Sequence, residues 1–80
     1  MSRIIDRPVS VETDQRGLPR EFRYRSRHLI REILDQWPET GEWWDGAAER
    51  QVYRVLSDKG GVFELERAAS GEWRLYKVYD

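Results

Sequence analysis

The second half of the chain repeats one unit, an aromatic strand followed by a turn that contains glycine. Residues 41–80 read GEWWDG, QVYRVLSDKGG, VFELERAASG and EWRLYKVYD. Apolar and charged residues alternate in these segments, and this period is typical of strands that bury one face. Because short glycine turns join neighbouring strands of one sheet, the sequence predicts an antiparallel meander.

The two glycine turns also predict how these strands pair. If residues 59–61 form a three-residue loop with one glycine in the left-handed conformation, Val55 lies opposite Leu65. The same geometry at residues 69–71 places Leu65 opposite Leu75. A slip by one residue would turn a core side chain toward solvent, so the register should be strongly set. The apolar residues that then share one face are Tyr53, Val55, Phe63, Leu65, Trp73 and Leu75.

The opposite face of the meander carries charge. The predicted register aligns Arg54, Glu66 and Arg74 across three strands, and opposite charges on adjacent strands are favourable pairs. We therefore expect one face to be core and the other to be a hydrated, ion-paired surface.

Composition limits the class of protein. A chain of 80 residues makes one small domain over 1–80, and its four Trp, four Tyr and two Phe supply much of the area that it can bury. It has no cysteine, no apolar run of membrane-spanning length and no signal-peptide pattern at its start. We therefore expect a cytoplasmic protein without membrane contact, with residues 1–7 as a flexible N-terminus.

The first half of the chain continues the strand pattern. Residues 9–13 form a short alternating segment, and residues 14–19 supply turn-forming side chains. Alternation returns at residues 21–25, where Phe22 and Tyr24 are expected to face inward. A second tight turn is expected at Arg25, Ser26 and Arg27.

Residues 27–37 fit two interpretations. Their apolar residues have the spacing of an amphipathic helix, whereas the preceding hairpin favours a strand over at least residues 28–33. We predict the strand, and we treat residues 39–50 as a polar loop. The apolar residues in question are Leu29, Ile30, Ile33, Leu34 and Trp37.

Charge is segregated along the chain. Residues 16–31 are rich in arginine, and residues 39–49 contain acids but no base. A run of charge is most often a solvated face, but arginine is also the residue best suited to planar contacts with phosphate. The candidate nucleic-acid-binding residues are Arg20, Arg23, Arg25, Arg27 and Arg31.

The chain offers little for catalysis. His28 is its one histidine, and we interpret it as a surface residue of a strand. Glu64 and Glu66 could mimic a catalytic carboxylate pair, but Arg54 and Arg74 would keep both ionised and remove the difference in pKa that such chemistry needs. We expect no enzyme, no metal site and no cofactor.

Trp43 and Trp44 are candidate partner-binding residues. Adjacent residues of an extended segment point in opposite directions, so one of the two is expected to face outward. Packing of both rings within the domain is one interpretation. The alternative is an aromatic anchor for a partner, because interface hot spots favour Trp, Tyr and Arg.

These residues resemble a small bacterial domain family of unknown function. They are also similar to the C-terminal tail of the inactive Y-family polymerase-like subunit of mutagenic translesion-synthesis complexes. That tail has an F-x-W-R-G-R-x-x-x-V strand pair, a Trp-Trp pair and an R-x-Y-Y-x-V strand. A G-x-x-x-W/L-x-x-R strand and a W-x-L-x-x-x-[FY] ending follow. Ser26 and Lys77 depart from the tail, which has glycine and a His-Gly pair there. The matching residues are Phe22, Tyr24, Arg25, Arg27, Trp43, Trp44, Arg50, Tyr53, Val55, Gly61, Leu65, Trp73, Leu75 and Tyr79.

The resemblance supports an all-β fold, five or six antiparallel strands in a meander that curls into a small barrel of SH3-like or similar type. It also implies a non-catalytic adaptor associated with DNA replication or repair, whose partner is another protein such as a polymerase or repair factor. Two alternatives stay open: a small barrel that binds single-stranded nucleic acid, and a structural or self-associating domain without a ligand. The sequence does not set the oligomeric state.

Overall fold

The described residues of the computed structural model, 2–39 and 49–79, form seven strands in one antiparallel sheet with the order β1-β7-β6-β5-β4-β3-β2. The all-β class is confirmed, with seven strands in place of the five or six expected. The strands are β1 (Ser2–Pro8), β2 (Ser10–Thr13), β3 (Pro19–Tyr24), β4 (Ser26–Glu39), β5 (Arg50–Ser57), β6 (Val62–Arg67) and β7 (Trp73–Tyr79).

The N-terminal segment borders both ends of the sheet. β1 pairs with β7, and β2 pairs with β3. Only Val9 separates the two strands, and its backbone N–H donates to the carbonyl oxygen of Trp73 over 3.2 Å. The sheet therefore curls into a barrel-like shape, since its first and last strands are joined by one residue.

Residues 2–7, which fall in the segment 1–7 expected to be a flexible N-terminus, belong to strand β1. Its burial pattern is almost entirely exposed, so hydrophobic periodicity gave no signal for this strand. Backbone pairing with β7 and the contact between Arg74 and Asp6, at 2.9 Å from Nε to Oδ1, hold it in place.

The core lies on the face predicted from the meander. All six predicted residues are buried, and Phe22 and Val78 join them in one cluster. Around it pack partly buried side chains from the first half of the chain, among them Val9, Leu18 and Ile33. The alternation of the sequence thus identified the inner face correctly.

The hairpin between β5 and β6 does not have the predicted register. Val55 lies opposite Phe63, and Tyr53 opposite Leu65. The backbone N–H of Ser57 donates to the Gly61 carbonyl over 2.8 Å, so the three-residue loop consists of residues 58–60 and begins one position earlier than predicted. Gly60 takes the left-handed conformation, with φ of 92°. The pairing shifts by two positions, which preserves the face of every side chain.

The hairpin between β6 and β7 begins as predicted, with Arg67 opposite Trp73 and Leu65 opposite Leu75. Beyond this point a β-bulge at Tyr76 shifts the pairing, so that Lys77 lies opposite Glu64. The extra residue turns Val78 inward, where it is buried. A strict two-residue alternation could not predict this core residue.

The stretch that looked helical is strand β4, which confirms the strand predicted for residues 28–33. Two register shifts interrupt its pairing with β5, one at Arg31 and one at Leu34. A bulge adds one residue, so Ile30 and Ile33 both pack against the core although three positions separate them. Bulges therefore account for the helix-like spacing.

Candidate functional site

The tip of the β3–β4 hairpin concentrates arginine. Arg23 and Arg27 are strand partners, and both side chains are exposed. Like charges placed opposite each other destabilise a sheet, so this pair carries an energetic cost. Arg25 joins the two strands with φ of 65°, a left-handed conformation that is uncommon outside glycine. Its guanidinium lies 5.4 Å from the ring centroid of Tyr24.

A cleft beside this tip adds a hydroxyl and a further cation. Arg23, Arg25 and Ser26 line a cavity of about 240 Å³. Lys59 reaches the tip from the β5–β6 turn and donates from Nζ to Ser26 Oγ over 2.6 Å. The positively charged groups converge because the turn packs beside the hairpin, a contact that the sequence did not predict.

Acidic neighbours offset only part of this charge. Glu21 pairs with Arg27 at 3.0 Å from Oε1 to Nε. All five predicted nucleic-acid-binding arginines are exposed, and they are divided between the tip and a neighbouring groove. Arg23, Arg25 and Arg27 lie at the tip. Arg20 and Arg31 are the unpaired residues of register shifts and line the groove, and Arg20 also lines a cleft together with Arg27.

That groove lies where β3 and β4 separate. The two strands pair from Tyr24 with Ser26 as far as Glu21 with Leu29, and no further. Beyond Leu29, the described strand partners of β4 are all in β5. The other backbone edge of residues 31–39 is consequently without a partner strand among the residues that the structure describes.

The groove has an apolar floor and charged walls. It encloses about 360 Å³. Leu18, Ile30 and Ile33 form its floor and pack against the core from outside, while Leu29 is 45% exposed and Leu34, just beyond the groove, is 42% exposed. The complete lining is Asp14, Leu18, Pro19, Arg20, Leu29, Ile30, Arg31, Glu32 and Ile33.

The charged groups of this groove differ in whether they already have a hydrogen-bond or ion-pair partner. Oδ1 of Asp14 accepts hydrogen bonds from the backbone N–H groups of Arg16 and Leu18, over 2.8 and 2.9 Å. Arg20 and Arg31 make no ion pair within the described part of the chain. The groove therefore presents two free guanidinium groups against one exposed carboxylate, Glu32.

The outer face of β6 differs from the hydrated surface expected. Glu64 and Glu66 are each only 6% exposed. Because the register is shifted, Arg54 faces Glu64 rather than Glu66, with 3.3 Å between Nη2 and Oε2. Glu66 instead pairs with Arg50, at 3.2 Å from Oε1 to Nη1. The predicted row of Arg54, Glu66 and Arg74 is thus wrong in its central contact.

Aromatic rings cover this ion-paired layer. The Arg54 guanidinium lies 5.2 Å from the ring centroid of Trp37 and 5.3 Å from that of Tyr79. The Tyr79 hydroxyl donates a hydrogen bond to Glu64. The outer face of β5–β7 is therefore a second packed layer, built from cations, carboxylates and aromatic rings.

A small cavity of about 130 Å³ lies over this layer, lined by Glu39, Arg50, Val52, Glu64, Glu66 and Tyr76. Burial raises the pKa of the Glu66 carboxyl above its ordinary value, and the neighbouring Arg50 opposes this by favouring the charged form. Glu64 and Glu66 are each held by an arginine partner, Arg54 and Arg50 respectively. We therefore assign the layer a packing role.

His28 is not the surface residue that we predicted. It lies opposite Phe22 and is 8% exposed, with its ring stacked on Phe22 at 4.8 Å between centroids. Its Nδ1 is 2.8 Å from Ser57 Oγ, and its Nε2 is 3.2 Å from the Tyr24 carbonyl oxygen. A carbonyl can only accept, so Nε2 donates to Tyr24, while Nδ1 and Ser57 Oγ share a second hydrogen bond. The turn at Arg25 pairs His28 with the inward-facing Phe22, so this pairing could have identified the buried position of His28.

The predicted partner-binding residues Trp43 and Trp44 lie outside the described residues, as does most of the polar loop predicted over residues 39–50. Their assignment stays a prediction. The β3–β4 groove, in contrast, was not foreseen. Its one signal in the sequence was the three-residue spacing of Ile30 and Ile33, which marks the bulge at Arg31.

The fold and these surfaces define an all-β, barrel-like domain with two neighbouring arginine-bearing sites. Comparison with known families identifies the chain as a member of DUF6504, a domain of unknown function, whose match spans residues 1–80. No curated protein and no solved structure matches the chain. Within the described residues, no helix is long and apolar enough to cross a membrane.

Proposed function

We propose that this domain is a non-catalytic accessory module that binds another protein through the groove between β3 and β4. One observation carries the proposal: β3 leaves β4 after Leu29, so an apolar floor lies beside a strand edge that has no partner among the described residues. Exposed strand edges are templates for pairing with another chain, and proteins usually cover or blunt them. A partner that fills the groove would cover both features.

The setting that we propose is DNA replication or repair in the cytoplasm. The support is the resemblance to the tail of the translesion polymerase-like subunit, together with the absence of cysteine from the chain. We also propose that the barrel-like sheet is of the SH3-like type. A polymerase or repair factor would be the partner.

Site-specific photo-crosslinking in the native cell tests the protein-binding function. A photoreactive amino acid replaces Leu34, the exposed residue that follows the lining residue Ile33, or Glu72, which is exposed in the turn between β6 and β7. We expect a protein adduct at Leu34 that is absent at Glu72. Identical adducts at both positions, or none at Leu34, would overturn the proposal. An adduct with a second copy of this chain would support the self-associating alternative instead.

The hairpin tip favours a second candidate function, binding of single-stranded nucleic acid. Arg23 and Arg27 stand opposite each other at an energetic cost, and Lys59 adds charge to the same end. A phosphate backbone would relieve the repulsion. The exposed Arg25 guanidinium, which lies over the Tyr24 ring, could stack on a base.

Titration of labelled oligo-dT tests this candidate. If several phosphates are neutralised, affinity should fall roughly 10²-fold or more between about 50 and 200 mM salt. Arg23→Gln should reduce both affinity and the salt dependence, whereas Arg3→Gln, an exposed arginine of β1, serves as the matched control. Absence of binding at the lower salt concentration eliminates nucleic acid.

A further inference from the structure

We infer that the occupant of the β3–β4 groove is a short extended peptide segment with an acidic side chain, which adds as a strand to β4. The inference rests on the proposed protein-binding function and names the chemistry of its partner. Three observations carry it: a backbone edge without a strand partner in residues 2–39 and 49–79, an apolar floor, and two guanidinium groups without an ion pair in the same residues.

The first observation selects an extended partner over a helical one. Where two neighbouring strands separate, the facing backbone groups lack the partners that a sheet normally supplies. An extended peptide can satisfy them by strand addition, in which main-chain hydrogen bonds give affinity. A helix satisfies its own backbone and would leave the β4 edge without partners.

The same strand limits the length of such a peptide. Bulges at Arg31 and Leu34 interrupt β4 on either side of Glu32 and Ile33. Bulges twist an edge and end continuous pairing, which protects proteins against unlimited edge-to-edge association. Beside the groove the regular edge is therefore short, which favours a peptide of a few residues there, while residues 35–39 form a second regular stretch beyond Leu34.

The second observation sets the apolar part of the recognition. Alternate side chains of an added strand point to one face. On that face they would meet Leu18, Ile30 and Ile33, which are half-buried and already packed against the core. Exposed Leu29 and Leu34 flank this floor. An apolar residue at every second position of the peptide would fit this arrangement.

The third observation sets the sign of the charge. Arg20 and Arg31 are exposed and have no described ion pair, whereas the Asp14 carboxylate is engaged by two backbone N–H groups. Guanidinium groups recognise carboxylates through paired hydrogen bonds. An aspartate, a glutamate or a C-terminal carboxylate would meet them, and a lysine-rich peptide would be repelled.

Selection from a displayed library of random peptides against the purified domain tests the inference. We expect enriched sequences with apolar residues at alternate positions and at least one acid. A synthetic peptide of that type should bind Arg31→Glu roughly fivefold or more weakly than the wild type, the scale of one exposed charge pair. Arg3→Glu is the matched control, since Arg3 is exposed on β1, outside the groove lining.

Amide hydrogen exchange distinguishes strand addition from simple occupation of the groove. Strand addition should slow exchange at amides of residues 31–33 in the presence of the peptide. Enriched sequences with helical spacing or basic residues, or equal binding by Arg31→Glu and wild type, would overturn the inference. Because photo-crosslinking at Leu34 is independent of peptide chemistry, an adduct there together with a failed peptide selection would leave the protein-binding function standing.

Discussion

The two faces of β6 are both buried, but by different means. On the inner face, Phe63 and Leu65 lie in an apolar core with Tyr53, Val55 and Leu75. On the outer face, Glu64 and Glu66 are as inaccessible as Phe63, with an exposed fraction of 6% for all three. Arginines and aromatic rings cover the two carboxylates. Low accessibility alone therefore does not identify the hydrophobic core of this domain.

The difference lies in how each layer stabilises the fold. Apolar burial stabilises in proportion to the area removed from water, and any neighbour of suitable shape can supply it. A buried carboxylate loses hydration, and it is tolerated only while its partners remain in place. We therefore expect the inner face to set the stability of the domain and the outer face to set its register and specificity.

The largest expected effect is at the inner face. Trp73 is 8% exposed and packs on Tyr53 at 5.5 Å between ring centroids. Trp73→Ala should cost about 3–5 kcal/mol, because it removes a large aromatic from the core. Since a domain of this size has about 5–15 kcal/mol of total stability, the variant should be close to unfolding.

Trp37→Ala on the outer face is the matched control for this prediction. Trp37 is half-buried and contacts Arg54 through its ring face, so its removal should cost clearly less. Urea denaturation followed by circular dichroism measures both variants. Equal losses in the free energy of unfolding at the two positions would show that the inner face does not contribute more to stability than the outer face.

A smaller effect is expected at Glu64, which accepts hydrogen bonds from Arg54 and Tyr79. Glu64→Ala should cost about 1.5–3 kcal/mol, the range for hydrogen bonds to a charged group. Glu64→Gln retains an acceptor for Tyr79 and should recover part of the loss. If Glu64→Ala is as stable as the wild type, the outer layer is not a stabilising network.

The sequence predicted the inner face because alternation and glycine turns are local signals. It failed on the outer face because the partners of Glu64 depend on register. Two adjacent glycines, Gly60 and Gly61, could each take the left-handed position in a three-residue loop. The choice depends on a distant strand, since Asp58 exchanges hydrogen bonds with the backbone of Leu29 in β4.

The candidate sites were harder to predict for the same reason. The exposed arginines of the hairpin were identified from composition, but their division into a tip and a groove follows from register shifts at Arg20 and Arg31. A bulge is one extra residue with no fixed sequence pattern, so it is invisible to a strict alternation. His28 was misplaced because its burial depends on pairing with Phe22 across the tight turn.

The register itself can be tested at Gly60. Its φ of 92° is a left-handed value, and a Cβ there would meet no atom within 4 Å, so backbone strain is the principal cost of substitution. Gly60→Ala should cost about 1–2 kcal/mol. Gly71→Ala, at φ of 93° with equally open space, should lose a similar amount. If Gly60→Ala is as stable as the wild type, the loop does not place Gly60 in the left-handed position. The register that pairs Arg54 with Glu64 would then also be wrong.

The smallest expected effect is a dependence of stability on pH through Glu66. Burial raises the pKa of its carboxyl in the folded state, against the opposing influence of Arg50. Between that raised pKa and the unfolded value of about 4.3, the folded protein binds more protons at this site than the unfolded chain. The contribution of Glu66 to folding stability therefore improves as the pH falls through this window.

Glu66→Gln does not titrate and should lack the improvement. Urea midpoints at about pH 7 and pH 5 should show the wild type gaining on the variant by less than about 1 kcal/mol, because Arg50 partly compensates the charge. If the difference in stability between the wild type and Glu66→Gln is the same at both pH values, the Glu66 carboxyl is hydrated. The outer face would then be an ordinary surface rather than a second packed layer.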